Sequence, residues 1–184
     1  MGVWVTLLAT GTAGGGADVR FGGGGALEDR ERSAVRGLAG RVARSGATFT
    51  GPSARCRQTA DALGHPATVE GALDDWDMGR WHGRTLAEVA AAEPDAVAGW
   101  LGDPAAVPHG GECLDALCGR VGGWLDGLAH EGRVLAIAEP AVVRAAVVHA
   151  LSLPPQTFWR LDVRPLALTE LSGRAGRWNL RLGA

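Results

Sequence analysis

One stretch constrains the fold of this chain more than any other: residues 3–13, which read VWVTLLATGTA. Five of the first six residues in it are apolar, and a short run of this kind predicts a strand buried on both faces, as in a parallel sheet. Small residues follow the strand, and open α/β sheets place their ligand sites at such carboxyl ends. The stretch therefore predicts an α/β domain with a site near Thr10 and Gly11.

Short apolar runs alternate with segments of helical spacing along the remaining chain. We expect helices over residues 26–45, 54–63, 86–92, 95–101, 112–131 and 140–151. We expect further strands over residues 47–50, 68–69, 133–138, 159–163, 166–171 and 178–182. The chain shows no internal repeat and no linker, so the pattern predicts a single domain over residues 1–184. In it, strands 3–9, 47–50 and 133–138 should be neighbours.

Composition narrows the classes of function. The 184 residues carry a net charge of -2 with a pI near 6.2, which argues against a nucleic-acid partner. We see no basic leader and no apolar run of roughly 18 residues, so we expect neither a signal peptide nor a membrane segment. Cys56, Cys113 and Cys118 have no metal-ligand spacing. We therefore expect reduced thiols in a cytoplasmic protein that binds no metal or cofactor.

Four further stretches carry recognisable motifs. They are RCRQTADAL at 55–63, LDDWDMGRWHG at 73–83, GGE at 110–112 followed by Cys113, and the buried strand and turn at 134–144. In their order and spacing, together with the first strand, these stretches resemble the histidine phosphatase (phosphoglycerate-mutase-like) superfamily. The resemblance implies a three-layer α/β/α sandwich with a mostly parallel central sheet and a site at the strand ends.

The resemblance also implies a chemistry. In that family, a histidine within Arg-His-Gly attacks phosphorus, two arginines and a second histidine hold the phosphoryl oxygens, and a carboxylic acid protonates the leaving oxygen. Gly11 of the first motif is kept. The family's first arginine falls on Ala9 and its nucleophilic histidine on Thr10. The second arginine falls on Arg55, the second histidine on Glu139 and the carboxylic acid on Asp75.

These departures change the charge expected at the site. Arg55 would face two carboxylates, Asp75 and Glu139, whereas the family's pocket is cationic. Two unit charges ~4 Å apart interact by about 4 kcal/mol at an effective dielectric near 20, so Glu139 would repel a phosphate dianion strongly. Threonine attacks phosphorus only with an adjacent base, and none of the five histidines follows the first strand. We therefore expect that the phosphohistidine mechanism is lost.

Each candidate residue also has a structural interpretation. Arg55 is either functional or an ion-pair partner of Glu139, and Asp75 is either functional or a turn residue. Glu139, ahead of Pro140 at a helix start, is either an anchored structural acid or a functional one. Candidates for substrate binding are Arg20, Phe21, Trp76, Trp81, His82, His109 and Gly11, with loop, core or surface roles as the alternative.

Three functions remain open. The first is a repurposed enzyme that isomerises, dehydrates, cyclises or hydrolyses a non-phosphorylated metabolite, with Glu139 as the base, Asp75 as the acid and Arg55 bonded to at least one of them. The second is a non-catalytic protein that binds a ligand or another protein, and the third is a residual phosphatase acting through Thr10 or a pocket histidine. We expect a small-molecule ligand at the strand ends, no nucleic acid and no membrane as partner, and we leave a homodimer open.

Overall fold

A mixed sheet lies at the centre of this computed structural model, which describes residues 2–11, 19–22, 25–42, 45–129, 132–174 and 176–182. Its strands are β1 (Val3–Ala9), β2 (Ala47–Thr50), β3 (Thr68–Val69), β4 (Gly132–Ala138), β5 (Leu168–Arg174) and β6 (Arg177–Arg181). Within the described residues the strand order is β3-β2-β4-β1-β5-β6. The first four strands in that order are parallel, and β5 and β6 join in antiparallel fashion.

Helices cover both faces of this sheet. They are α1 (Asp29–Gly37), α2 (Ala54–Leu63), α3 (Leu86–Ala92), α4 (Pro94–Gly102), α5 (Leu114–Asp126) and α6 (Pro140–Ala150). On one face, Val35 of α1 and Leu63 of α2 share a buried cluster with Leu8 and Ile137 of the sheet. On the other face, α5 and α6 pack against the sheet in a larger core. This arrangement confirms the predicted three-layer sandwich with a mostly parallel sheet.

The register of the central strands sets the position of the site. β1 and β4 are paired in parallel along their whole length, ending with Ala9 opposite Ala138. β2 lies on the other side of β4, with Thr50 opposite Ile137. The carboxyl ends of the three strands therefore meet at one edge, as predicted. Thr10 and Glu139, which follow β1 and β4, are brought side by side.

Two expectations about strands were wrong. Residues 159–163 were expected to form a strand, but Pro155–Arg160 is a 3₁₀ turn, because Phe158 is buried in an aromatic cluster with Trp159 beside it. The first strand is not buried on both faces throughout, since Trp4 is 37% exposed. The guanidinium carbons of Arg133 and Arg181 lie 5.8 and 4.7 Å from the centre of its ring.

Two helices are shorter than the pattern predicted. α1 begins at Asp29 because Glu28 and Glu31 form a capping box, and it ends at Gly37. α5 begins at Leu114 because the Cys113 sulfur accepts a hydrogen bond from the Ala116 backbone as the N-cap. Apolar periodicity does not report such caps, so it extended both helices into the flanking turns.

Candidate functional site

Glu139 is the most heavily bonded acid at the strand ends. It lies between β4 and α6, where it is the N-cap residue of α6, with Pro140 at the first helical position. The buried Thr10 hydroxyl donates to Glu139 Oε2 at 2.5 Å, and the Ser53 hydroxyl donates to Oε1 at 2.9 Å. The Cys56 thiol lies 3.8 Å from the same Oε1. Both carboxylate oxygens are thereby fixed as hydrogen-bond acceptors.

Burial keeps the Cys56 thiol from acting as a nucleophile. Burial, reinforced by the charge of Glu139, raises the pKa of Cys56 to about 12. A thiol with such a pKa stays protonated at neutral pH. Cys56, Cys113 and Cys118 form no disulfide with one another.

Asp75 is the second carboxylate of the site. It follows the 3₁₀ turn Gly71–Leu73, and its Oδ1 accepts a hydrogen bond of 2.8 Å from the Trp76 backbone. Burial and the nearby charge of Glu139 raise the pKa of Asp75 to about 6. The two carboxylates therefore interact electrostatically, and Asp75 holds its proton far more readily than an aspartate in water does.

Arg55 lines the same cavity as both acids. Its Nη1 donates to the carbonyl oxygen of Gly11, and its Nε donates to that of Gly25. Backbone carbonyls beside β1 and α1 thus hold the Arg55 side chain, and its predicted bond to a carboxylate stays a prediction. Its positive charge still acts on Asp75, whose pKa it lowers slightly against burial and Glu139.

A cavity of about 320 Å³ opens over these groups. Arg55, Asp75 and Glu139 line it, together with Gly11. Aromatic side chains form much of the wall, namely Phe21, Trp76, Trp100, Phe158 and Trp159. Their ring centroids lie 4.6 to 5.8 Å apart, mostly tilted or edge to face. The structure thus combines two carboxylates with an apolar wall, which suits a ligand that is largely uncharged near Asp75.

Arg20 and Phe21 are held over the cavity by backbone pairing. Arg20 forms an isolated antiparallel bridge with Thr85, and the Phe21 backbone exchanges hydrogen bonds with Arg84 and Gly83. The Arg20 guanidinium donates to the Gly83 carbonyl. This pairing places the Phe21 ring against the indole of Trp100. Phe21 is therefore part of the wall, as the sequence predicted.

Four predicted site residues do not line the cavity. Thr10 is fully buried beneath Glu139. Trp81 is buried behind the wall, 5.7 Å from Phe21 between ring centroids. His109, 1% exposed, packs on Trp81, accepts a hydrogen bond from the Gly111 backbone and has its pKa lowered by burial. His82 is exposed outside the lining. These positions correct the expectation that Trp81, His82 and His109 contact substrate and that Thr10 reacts with it.

Several lining residues escaped the sequence analysis. They are Val19, Met78, Trp100, Arg144, Phe158 and Trp159. Arg144 had a signal, because it is the last residue of the turn motif at 134–144. It lies on the same face of α6 as Pro140 and Ala141, at i+4 and i+3. The tryptophans had no signal beyond their composition, since default burial in a core predicts them equally well.

The fold and the site together place the chain among known proteins. The profile of the family described as the histidine phosphatase superfamily (branch 1) matches residues 9–183. The chain belongs to the histidine phosphatase superfamily. Its predicted family membership is confirmed.

Mycobacterial proteins are among its relatives in sequence. The bifunctional protein Rv2228c of Mycobacterium tuberculosis is 31% identical over 148 residues, which cover 74% of this chain and 41% of that protein. The chain thus spans less than half the length of this relative. The glucosyl-3-phosphoglycerate phosphatase of Mycolicibacterium vanbaalenii is 40% identical over 52 residues, covering 28% of this chain and 23% of the enzyme.

Solved structures resemble the whole fold. A mycobacterial glucosyl-3-phosphoglycerate phosphatase in complex with VO3 superposes with a TM-score of 0.82 at 24% identity, covering 97% of each chain. Bacillus stearothermophilus YhfR superposes with a TM-score of 0.85 at 17% identity, covering 97% of this chain and 95% of the other. At these identities the likeness establishes the fold alone.

Two features are absent from the described residues. These residues contain no cluster of three or more histidine, cysteine, aspartate or glutamate side chains arranged to hold a metal ion. Nor does any helix in the described part of the chain have the length and apolar character needed to cross a membrane.

Proposed function

We propose that this protein is an acid/base enzyme acting on a small molecule that carries no phosphate at the reacting centre. Glu139 is the base, Asp75 is the acid, and the aromatic wall holds the substrate. The observation that carries the proposal is the pairing of two cavity-lining carboxylates with different environments. Both oxygens of Glu139 accept hydrogen bonds from hydroxyls, whereas the pKa of Asp75 is raised to about 6 by burial and by Glu139. Such a pair divides into proton acceptor and proton donor.

The roles of the neighbouring residues follow from their contacts. Thr10 and Ser53 orient the Glu139 carboxylate, so they are positioning residues. Arg55 donates to the Gly11 carbonyl and so holds the backbone two residues after the end of β1. Because Thr10 is fully buried, we assign it no part as a nucleophile. A proton removed by Glu139 and a proton delivered by Asp75 would isomerise, dehydrate or cyclise an uncharged group of the substrate without a covalent intermediate.

A second candidate is a phosphatase. It is favoured by the family and by the local identity to a glucosyl-3-phosphoglycerate phosphatase. Against it stands the chemistry after β1, where Thr10 takes the nucleophile's place and its hydroxyl donates a hydrogen bond to Glu139. A phosphate at that point would meet two carboxylates, and like charges this close repel. We therefore place the phosphatase second.

The deciding experiment compares four proteins on a small-molecule extract of the source cells, followed by mass spectrometry. Asp75→Asn and Glu139→Gln keep shape and remove charge, while Asp61→Asn alters an exposed acid on α2 and serves as the matched control. We expect wild type and Asp61→Asn to convert one metabolite, and the two site variants to lose this activity while retaining their circular dichroism spectra. Conversion that survives both site variants overturns the acid/base assignment. No conversion by the wild type puts a binding role first.

The phosphatase candidate has its own test. We expect no hydrolysis of an aryl phosphate above a denatured control and no transfer of labelled phosphate to the protein. Labelling that disappears in the Thr10→Ala variant would make the phosphatase the better assignment.

A further inference from the structure

Arg144 is a cationic side chain of the cavity that the proposed reaction leaves without a role. It lies on α6, at the cavity wall, with its guanidinium carbon 5.6 Å from the centre of the Phe158 ring. Pro140 and Ala141 line the cavity from the same helix face. Arg144 follows Pro140 by four residues, which is roughly one helical turn, or about 5.4 Å along α6.

Arg144 lacks the bonds that an arginine with a structural role normally makes. Its Nε is buried, and no described residue accepts a hydrogen bond from it. No carboxylate in the described ranges lies within ion-pair distance of its guanidinium. An unpaired buried N–H of a charged group is costly, because it has left water without gaining another acceptor. Since Arg144 borders a cavity, a bound ligand is the natural source of the missing acceptor.

The charges around Arg144 limit what that ligand group is. Burial lowers the pKa of Arg144, and the charge of Asp162 offsets part of this effect. The arginines that line the cavity, Arg20, Arg55 and Arg144, are balanced by Asp75 and Glu139 in the lining and by Asp162 near Arg144. This balance leaves little net positive charge for a dianion. A planar guanidinium fits a carboxylate through two parallel hydrogen bonds. One singly charged, planar acceptor therefore suits this position best.

We infer that Arg144 is the specificity-determining residue of the cavity, and that it binds a carboxylate at the end of the substrate distant from Asp75 and Glu139. The substrate class is a small carboxylic acid with an apolar body. The aromatic wall holds the body, Arg144 fixes the carboxylate, and the uncharged reacting group lies against the two acids. This inference rests on the proposed function for the position of the reacting end.

The test uses phenylacetate and phenylacetamide, which differ only in the charged group, and phenyl phosphate as a dianion. Binding is followed by the fluorescence of the tryptophans that line the cavity. Wild type should bind phenylacetate about tenfold or more tightly than the amide, the value expected of a hydrogen-bonded charge. In Arg144→Gln this preference should vanish while the amide still binds as before, which shows that the variant is folded. Arg57→Gln, on the exposed side of α2, should behave as wild type.

Four results overturn the inference. They are equal binding of acid and amide by wild type, no binding of phenylacetate, an acid preference that survives Arg144→Gln, and tighter binding of phenyl phosphate than of phenylacetate. The same titration of Asp75→Asn and Glu139→Gln separates this inference from the proposed function. We expect both variants to keep the Arg144-dependent preference even though they lose turnover. Turnover that survives in them defeats the proposed function and leaves the role of Arg144 standing.

Discussion

Asp75 and Glu139 show how one acid sets the protonation of another. Glu139 is held by the hydroxyls of Thr10 and Ser53, and its charge, added to burial, raises the pKa of Asp75 to about 6. The Asp75 carboxylate accepts one backbone hydrogen bond, from Trp76. This bond lowers the pKa of Asp75 but offsets only part of the rise caused by burial and Glu139. Because folding makes this carboxyl harder to ionise, the pair carries an electrostatic cost at neutral pH.

That cost predicts a specific dependence of stability on pH. The pKa of Asp75 is higher in the folded protein than the ordinary 3.8, so the folded state binds the proton more tightly than the unfolded state does. The stabilisation from protonated Asp75 is complete below pH 3.8 and is lost as the pH rises through about 6. We expect wild type to lose about 1–3 kcal/mol of unfolding free energy over this range relative to Asp75→Asn.

Urea denaturation of both proteins across that pH range measures the difference. Asp61→Asn, which alters an exposed acid, should follow the wild-type profile. Parallel curves for wild type and Asp75→Asn would contradict the prediction, because they would mean that folding leaves the Asp75 carboxyl unperturbed.

The N-terminus of α5 depends on an unusual cap. The Cys113 sulfur accepts from the Ala116 backbone at 3.4 Å, and sulfur is a weak acceptor. A serine hydroxyl is among the best acceptors at this position. We therefore expect Cys113→Ser to raise the free energy of unfolding by about 0.5–1 kcal/mol. Cys113→Ala should lower or leave unchanged the midpoint measured by thermal denaturation. A serine variant no more stable than the alanine variant would refute the capping role.

The loop that carries Asp75 continues into a close backbone crossing at Gly79. Gly79 has a φ of +46°, and a Cβ there would lie 2.2 Å from the His109 carbonyl oxygen. Gly83, with a φ of +78°, would meet nothing within 4 Å. Alanine at Gly83 should cost about 1 kcal/mol from backbone strain alone. Alanine at Gly79 should cost at least about 2 kcal/mol more, since it adds a backbone clash.

Chemical denaturation of the two variants isolates the clash, because both glycines have positive φ and belong to the same loop. Similar losses of stability would show that the crossing of residues 79 and 109 yields without cost. If Gly79→Ala loses more stability than Gly83→Ala, we also expect it to bind ligand more weakly. The reason is that the 3₁₀ turn Gly79–Trp81 supports Trp81 behind the cavity wall.

The elements that locate the site were the most predictable from sequence. Strands β1, β2 and β4 are short apolar runs with clear ends, and parallel strands necessarily bring their carboxyl ends to one edge. The proximity of Thr10 and Glu139 followed from this rule. The 3₁₀ turn at Pro155–Arg160 did not, because the packing of Phe158 and Trp159 against distant tryptophans decides its conformation.

Contacts made by individual side chains were less predictable. Arg55 bonds to the carbonyls of Gly11 and Gly25, and nothing local indicates which loop will pass within reach. His109 was a candidate for substrate binding but is buried on Trp81. Charge and residue type limit which partners side chains such as Arg55 and His109 can have. The partner that each one contacts depends on how loops from separate parts of the chain are arranged.

Across the molecule, Asp126 joins α5, α6 and the β5–β6 hairpin. Its Oδ1 accepts hydrogen bonds from the Trp178 indole and the Gly176 backbone, and its Oδ2 lies 2.9 Å from His149 Nε2. One side chain at the end of α5 thus ties α6 to the β5–β6 hairpin. These contacts hold the antiparallel strands at the edge of the sheet against α5 and α6.

This junction predicts how the whole domain responds to acid. Burial alone would raise the pKa of Asp126, but the hydrogen bonds from Trp178 and His149 outweigh it and lower the pKa from 3.8. The ionised form therefore stabilises the folded state above pH 3.8, and this contribution disappears as the pH falls further. We expect Asp126→Asn to lower the unfolding free energy at neutral pH by about 1–3 kcal/mol, the value of the charge-assisted hydrogen bonds. The difference from wild type should narrow in acid, and Asp61→Asn should show neither effect. A neutral-pH stability of Asp126→Asn equal to that of wild type would mean that packing alone holds the hairpin on α5 and α6.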